Sequence, residues 1–111
     1  MYRIRKTIEV SAAHRLALPY NSPCTQMHGH NWTITVYCKN KELNASGMVI
    51  DFTEIKSLIH DKLDHKLLND VLSFNPTAEN IAKWICDTVP HCYKVEVEES
   101  LNNIASYEKE N

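Results

Sequence analysis

Over two stretches of this chain, larger apolar residues fall on the even positions. In the first stretch they are Ile4, Ile8, Val10 and Ala12, with His14 following in phase. In the second, Trp32, Ile34, Val36 and Cys38 repeat the pattern. Alternation of this kind has the period of a β-strand with one buried face, so residues 2–13 and 28–39 are predicted strands that bury their even side. The connection over 15–27, with Pro19, Asn21, Ser22 and Pro23, is a loop long enough to carry function.

Beyond a turn region over 39–47, the spacing becomes helical. Asp51-Phe-Thr-Glu54 resembles a capping box, and Phe52, Ile55, Ile59 and Leu63 follow as an apolar stripe. A second helix is predicted from Pro76-Thr-Ala-Glu79, with Ile81, Trp84 and Ile85 inward, stopping before Pro90. Residues 93–99 and 103–109 then read as a closing hairpin across Asn102-Asn103, a pair that tolerates positive φ. The order ββααββ predicts an α+β domain with two helices over one face of an antiparallel sheet. Such a sheet has two edges, which a short chain must cover or pair with another subunit.

Histidines mark where the chemistry lies. His28 and His30 flank Gly29, so on a strand their side chains project together, roughly 7 Å apart along the chain. His14 lies on the even face of the first strand. If the two strands pair as antiparallel neighbours, the three imidazoles converge on one ion and leave a fourth position open, the pattern of catalytic zinc. Cys24 stands just ahead of the pair and has no obvious structural task.

Two further groups are candidates. In the predicted third strand, Tyr93, Val95 and Val97 share a face that continues to Glu99, whereas Glu98 faces solvent. Glu99 lies either at a wet strand end or against a ligand edge bearing paired N–H donors, which a carboxylate accepts together. No metal role attaches to it. Asp64-His65 either finishes the first helix or serves Cys24 as a proton relay.

Composition narrows the picture. The 111 residues carry a formal net charge of −2, which argues against nucleic acid or an anionic membrane surface as the main partner. That length suits one domain over residues 1–111 with one modest core. No apolar run is long enough to span a bilayer, and the charged start over residues 1–6 lacks the apolar stretch of an export signal. A cytoplasmic location with reduced thiols is therefore expected. Cys38 and Cys86 are expected to pack as small apolar groups. The spacing of Cys86, His91 and Cys92 fits no common zinc pattern, and the turn at Pro90 accounts for their clustering.

Six pieces together carry a family resemblance: Ala13-His14; Cys24 with His28-Gly-His30-Asn31; Gly47-Met-Val-Ile-Asp51-Phe; Leu63-Asp64-His65-Lys66 with Leu68-Asn69; Pro76-Thr-Ala-Glu79-Asn80; and Glu99-Ser with Asn102-Asn-Ile104. Across nearly its whole length the chain resembles the 6-pyruvoyl-tetrahydropterin synthase family. The three residues between Cys24 and His28 are similar to its 6-carboxy-5,6,7,8-tetrahydropterin synthase branch, where the pyruvoyl enzymes typically have five. Ser100 stands where the family often has Thr.

The resemblance implies Zn2+ held by His14, His28 and His30, with Cys24 as catalytic base, Asp64 and His65 as its relay, and Glu99 anchoring the pterin. It also implies the tunnelling fold, in which trimers close a barrel and two trimers stack into a homohexamer with active sites between subunits. The implied reaction converts 7,8-dihydroneopterin triphosphate to 6-carboxy-tetrahydropterin, with release of acetaldehyde and triphosphate, in queuosine biosynthesis. Three alternatives stay open: triphosphate elimination by a 6-pyruvoyl-tetrahydropterin synthase, a zinc hydrolase that leaves Cys24 idle, and a zinc- and pterin-binding module without turnover.

Overall fold

In the computed structural model, which describes residues 1–110, two thirteen-residue strands, β1 (Tyr2–His14) and β2 (His28–Asn40), form the longest ladder. Their β-branched and aromatic residues suit a pleated, half-buried surface. The strands run antiparallel from Tyr2 opposite Asn40 to His14 opposite His28, and every pair joins residues of like parity. The two even faces are therefore one face. It is buried at Ile8, Val10, Ala12, Trp32, Ile34, Val36 and Cys38, as the alternation predicts.

On that side of the sheet α1 (Phe52–Leu63) packs against β1, and α3 (Ala78–Thr88) packs against the strands over residues 92–108. Asp51 caps α1 by accepting the Thr53 N–H, and Thr77 caps α3 by accepting that of Asn80. Helices of this length are marginal alone. Burial of Ile55, Ile59 and Leu63 from α1 and of Ile81 and Ile85 from α3, worth roughly 1.5–3 kcal/mol each, holds them to the sheet. Phe52 does not join the stripe. It sits on the first turn, 48% exposed, while Ile55 turns inward.

Strands β4 (Cys92–Ser100) and β5 (Asn103–Glu108) form the closing hairpin, with Asn102 at φ 70° in its turn. A short strand β3 (Lys66–Leu67) and a one-turn helix α2 (Leu68–Val71) lie between α1 and α3, so the ββααββ order gains two elements. His65 adopts φ 57° after the end of α1 and donates its N–H to the Ser11 carbonyl at 2.7 Å, which lays Lys66–Leu67 parallel to Ala12–Ala13. Two residues are too few to leave a periodic signal. The sheet order is β3-β1-β2-β4-β5, an α+β architecture with its helices on one face.

Strand β4 carries two bulges. Near its start, Lys94 pairs with Tyr37 but Cys92 with Cys38, so Tyr93 is the extra residue. Tyr93 turns to the open face, where it meets the Tyr37 ring and the Lys39 ammonium, and Cys92 takes the core position in its place. The expectation that Tyr93 shares the buried face of Val95 and Val97 is corrected by that inserted residue. The second bulge lies between Glu98 and Ser100 and leaves Glu99 without a partner on β5.

Candidate metal centre and active site

At the end of the β1–β2 ladder the three histidines come together. His14 and His28 are directly opposed, and His30 is opposite Ala12, one pair further along the same face. Their ring centroids lie 4.5–5.3 Å apart, and one ligand atom from each falls within 4.8 Å of the others. They form the one such cluster among the described residues. Trp32 closes the inner side, its ring 4.8 Å from His14 and 5.4 Å from His30, and its indole N–H donates to the Ala12 carbonyl.

Backbone carbonyls decide the tautomers. His14 Nδ1 lies 2.8 Å from the Pro76 carbonyl oxygen, and His28 Nδ1 lies 2.8 Å from that of Gln26. A carbonyl only accepts, so each Nδ1 carries the proton and each Nε2 offers a lone pair. His14 is fully buried, and both His14 Nε2 and His30 Nε2 are shielded from solvent without a hydrogen bond. Buried polar atoms are rarely left so. Burial pushes the His14 pKa below the usual imidazole value, partly offset by the Pro76 hydrogen bond. Burial also lowers that of His30, against the pull of Glu99. Two imidazoles with buried, unsatisfied Nε2 atoms, and a third beside them whose Nδ1 is engaged by a carbonyl, are a donor set that fits a borderline-soft divalent metal such as zinc.

Beside this cluster a cavity of about 530 Å3 opens between the 15–27 loop, the start of α3 and the β4–β5 turn. Cys24 and Glu99 both line it, together with Tyr20, Thr77, Glu79 and Ile104. Cys24 sits in a single 3-10 turn, Pro23–Thr25, whose Ser22 hydroxyl accepts the Cys24 N–H. Glu99 continues the inward face of Val95 and Val97, with Oε1 3.4 Å from His30 Nε2 and Oε2 3.6 Å from His14 Nε2.

The matching family model, described as 6-pyruvoyl tetrahydropterin synthase, spans residues 3–110. The chain belongs to that family. It is 32% identical to a Bacillus subtilis 6-carboxy-5,6,7,8-tetrahydropterin synthase, over 96% of this chain and 84% of the relative. It is 33% identical to a Drosophila melanogaster 6-pyruvoyl tetrahydrobiopterin synthase, over 87% and 73%. The structure of the Caenorhabditis elegans 6-pyruvoyl tetrahydropterin synthase superposes with a TM-score of 0.78 at 28% identity, covering 98% of this chain and 96% of that one.

Asp64 and His65 lie elsewhere. His65 lines a second cleft, of about 540 Å3, with Ala12, Ala13, Gly29, His30 and Asn31 of β1 and β2, so the cleft borders the histidine cluster at His30. Asp64 Oδ2 is 2.6 Å from His65 Nδ1, and Oδ1 accepts the Ser11 N–H at 2.9 Å. That N–H, with His65, holds the Asp64 carboxyl below its usual pKa. The His65 side chain is 82% exposed. One subunit thus places Cys24 and Glu99 on one cavity, with Glu99 reaching His14 and His30, and places His65 on a second cleft that His30 also lines.

Sequence reading missed the straps on the Cys24 loop. The Asn69 amide accepts the Arg15 N–H and donates to the Arg15 carbonyl, and Asn75 does the same for Ala17. Between them the Leu16 N–H donates to the Cys24 carbonyl at 2.8 Å. Asn69 and the Asn before Pro76 were the available signals, since their amides can imitate a strand edge. The remaining thiols are structural. Cys38, Cys86 and Cys92 are buried, and burial pushes the Cys86 pKa up to about 12.

Proposed function

We propose that this chain is a single-domain, zinc-dependent 6-carboxy-5,6,7,8-tetrahydropterin synthase acting in queuosine biosynthesis. On this reading it converts 7,8-dihydroneopterin triphosphate to the carboxy-pterin with release of acetaldehyde and triphosphate. The observation that carries the reading is the three-histidine cluster, joined through Glu99 to a cavity that also holds the Cys24 thiol. A zinc hydrolase needs only the histidines and leaves Cys24 unexplained. The 32% identity to the Bacillus subtilis enzyme and the three-residue spacing between Cys24 and His28 support the carboxy branch.

His14, His28 and His30 would hold the zinc ion, whose Lewis acidity favours ionisation of substrate side-chain oxygens. Glu99 accepts the amino group and neighbouring ring N–H of the pterin, which fixes the ring so that the side chain reaches the histidines. Cys24 abstracts a carbon-bound proton. His65, oriented by Asp64, returns protons. Its place in a cleft that Cys24 does not line supports an active site shared between subunits, with β5 and the uncovered part of β1 as the edges that a barrel-closing homohexamer would pair. A cytoplasmic setting accords with the free thiols, and no described helix is long and apolar enough to cross a membrane.

The test is incubation of the zinc-loaded protein with 7,8-dihydroneopterin triphosphate, following triphosphate and acetaldehyde together. Stoichiometric release of both is expected. Triphosphate without acetaldehyde would assign the pyruvoyl reaction, and neither product would leave a binding module. Cys24→Ala is expected to keep metal and pterin affinity while losing turnover, and loss of its zinc would make Cys24 a ligand instead.

A further inference from the structure

We propose that Glu99 is a displaceable fourth ligand of the three-histidine metal centre, closing it when no pterin is bound. The inference rests on the metal-site reading and adds a second task to the carboxylate that anchors the ring.

The argument begins with hydrogen positions. His14 Nδ1 must carry its proton to serve the Pro76 carbonyl, so a lone pair on Nε2 points away from it. Opposite that lone pair, at 3.6 Å, stands Glu99 Oε2, which also has only lone pairs to offer. Two acceptors turned on one another in a buried site repel unless a cation lies between them. Glu99 Oε1 is likewise 3.4 Å from the buried, hydrogen-bond-free His30 Nε2.

Spacing points the same way. Ligand atoms about 2.0–2.1 Å from a tetrahedral ion are ~3.3 Å from one another. The Glu99 oxygens stand close to that separation from two of the three ligand nitrogens. The carboxylate has no competing engagement. Among the described residues its side chain accepts no hydrogen bond, its ionisable neighbours within 4.0 Å are His14 and His30, and it is only 25% exposed. Glu99 turns to the histidines because it continues the inward face of Val95 and Val97, and the bulge leaves it unpaired with β5.

A single carboxylate cannot face the metal and also accept two adjacent N–H groups of a pterin. Ring binding therefore draws Glu99 off the ion and frees the fourth position only when substrate is present to use it.

Cobalt(II) tests this, because it accepts zinc-type donor sets and its visible bands report coordination. Wild type, Glu99→Gln and Glu99→Ala are titrated with cobalt(II), with and without neopterin, alongside His28→Ala. Both Glu99 variants are expected to bind cobalt about ten- to a hundred-fold more weakly, with altered bands. Neopterin is expected to move the wild-type bands toward those of the variants. Wild-type affinity and bands in folded Glu99→Gln and Glu99→Ala overturn the proposal while leaving the histidine site intact. A wild type that binds no cobalt, or a His28→Ala that binds it equally, overturns the metal-site reading itself.

Discussion

Replacing Asn75 by Ala removes two hydrogen bonds to Ala17, of 2.9 and 3.1 Å, without touching the core. The Asn75 backbone carbonyl keeps the Thr77 N–H and the Asn80 amide, so α3 retains its start. The site is open to water, so the freed Ala17 groups hydrate, and each lost bond costs about 0.5–1.5 kcal/mol, or about 1–3 kcal/mol together. That cost falls on closure of the loop rather than on global unfolding. It corresponds to a roughly five- to 150-fold increase in the open population. Amide hydrogen exchange at Leu16 is the reporter, since its partner is the Cys24 carbonyl and not Asn75. Faster exchange at Leu16, with β1 and β2 unchanged, is the expected result. Asn75→Asp keeps the size but sets a carboxylate oxygen against the Ala17 carbonyl, and it is expected to be at least as disruptive. Acceleration at Ala17 alone, with Leu16 unaltered, would refute the idea that the Asn straps hold the Cys24 loop as a unit.

Three other outcomes are expected. Metal analysis of His28→Ala should show loss of bound zinc, and full retention would break the three-histidine assignment. Burial holds the folded His14 pKa below the 6.5 of the unfolded chain, so below that pH the unfolded state binds the extra proton. Metal-free protein should thus lose stability as pH falls through 6.5 toward the lowered folded value, and denaturant midpoints that stay level from pH 7.5 to 5.5 would contradict this. Sedimentation should find the active species to be an oligomer, since β5 and most of β1 are unpaired edges, and an active monomer would refute shared sites.

The sequence by itself determined the long ladder and the meeting of His14, His28 and His30. Period-two alternation over thirteen residues is local information, and pairing of like parity transmits it unchanged from one strand to the next. The cap at Asp51, the helix start near Pro76-Thr-Ala-Glu79 and the turn at Asn102 were legible for the same reason, because each depends on neighbours within three or four residues. Tertiary structure alone decided the rest. A bulge adds a residue with no signature of its own, yet one such residue sends Tyr93 to the open face, and another leaves Glu99, whose inward face the alternation did give, without a partner on β5. Pro76 and Asn75 act on the site from more than fifty positions beyond His14 and Ala17. The separation of Asp64–His65 from Cys24 follows from which side of the sheet each loop leaves. Hydrogen-bond partners brought together by chain reversal have no period to be read, because what selects them is the packing of whole elements rather than the local backbone.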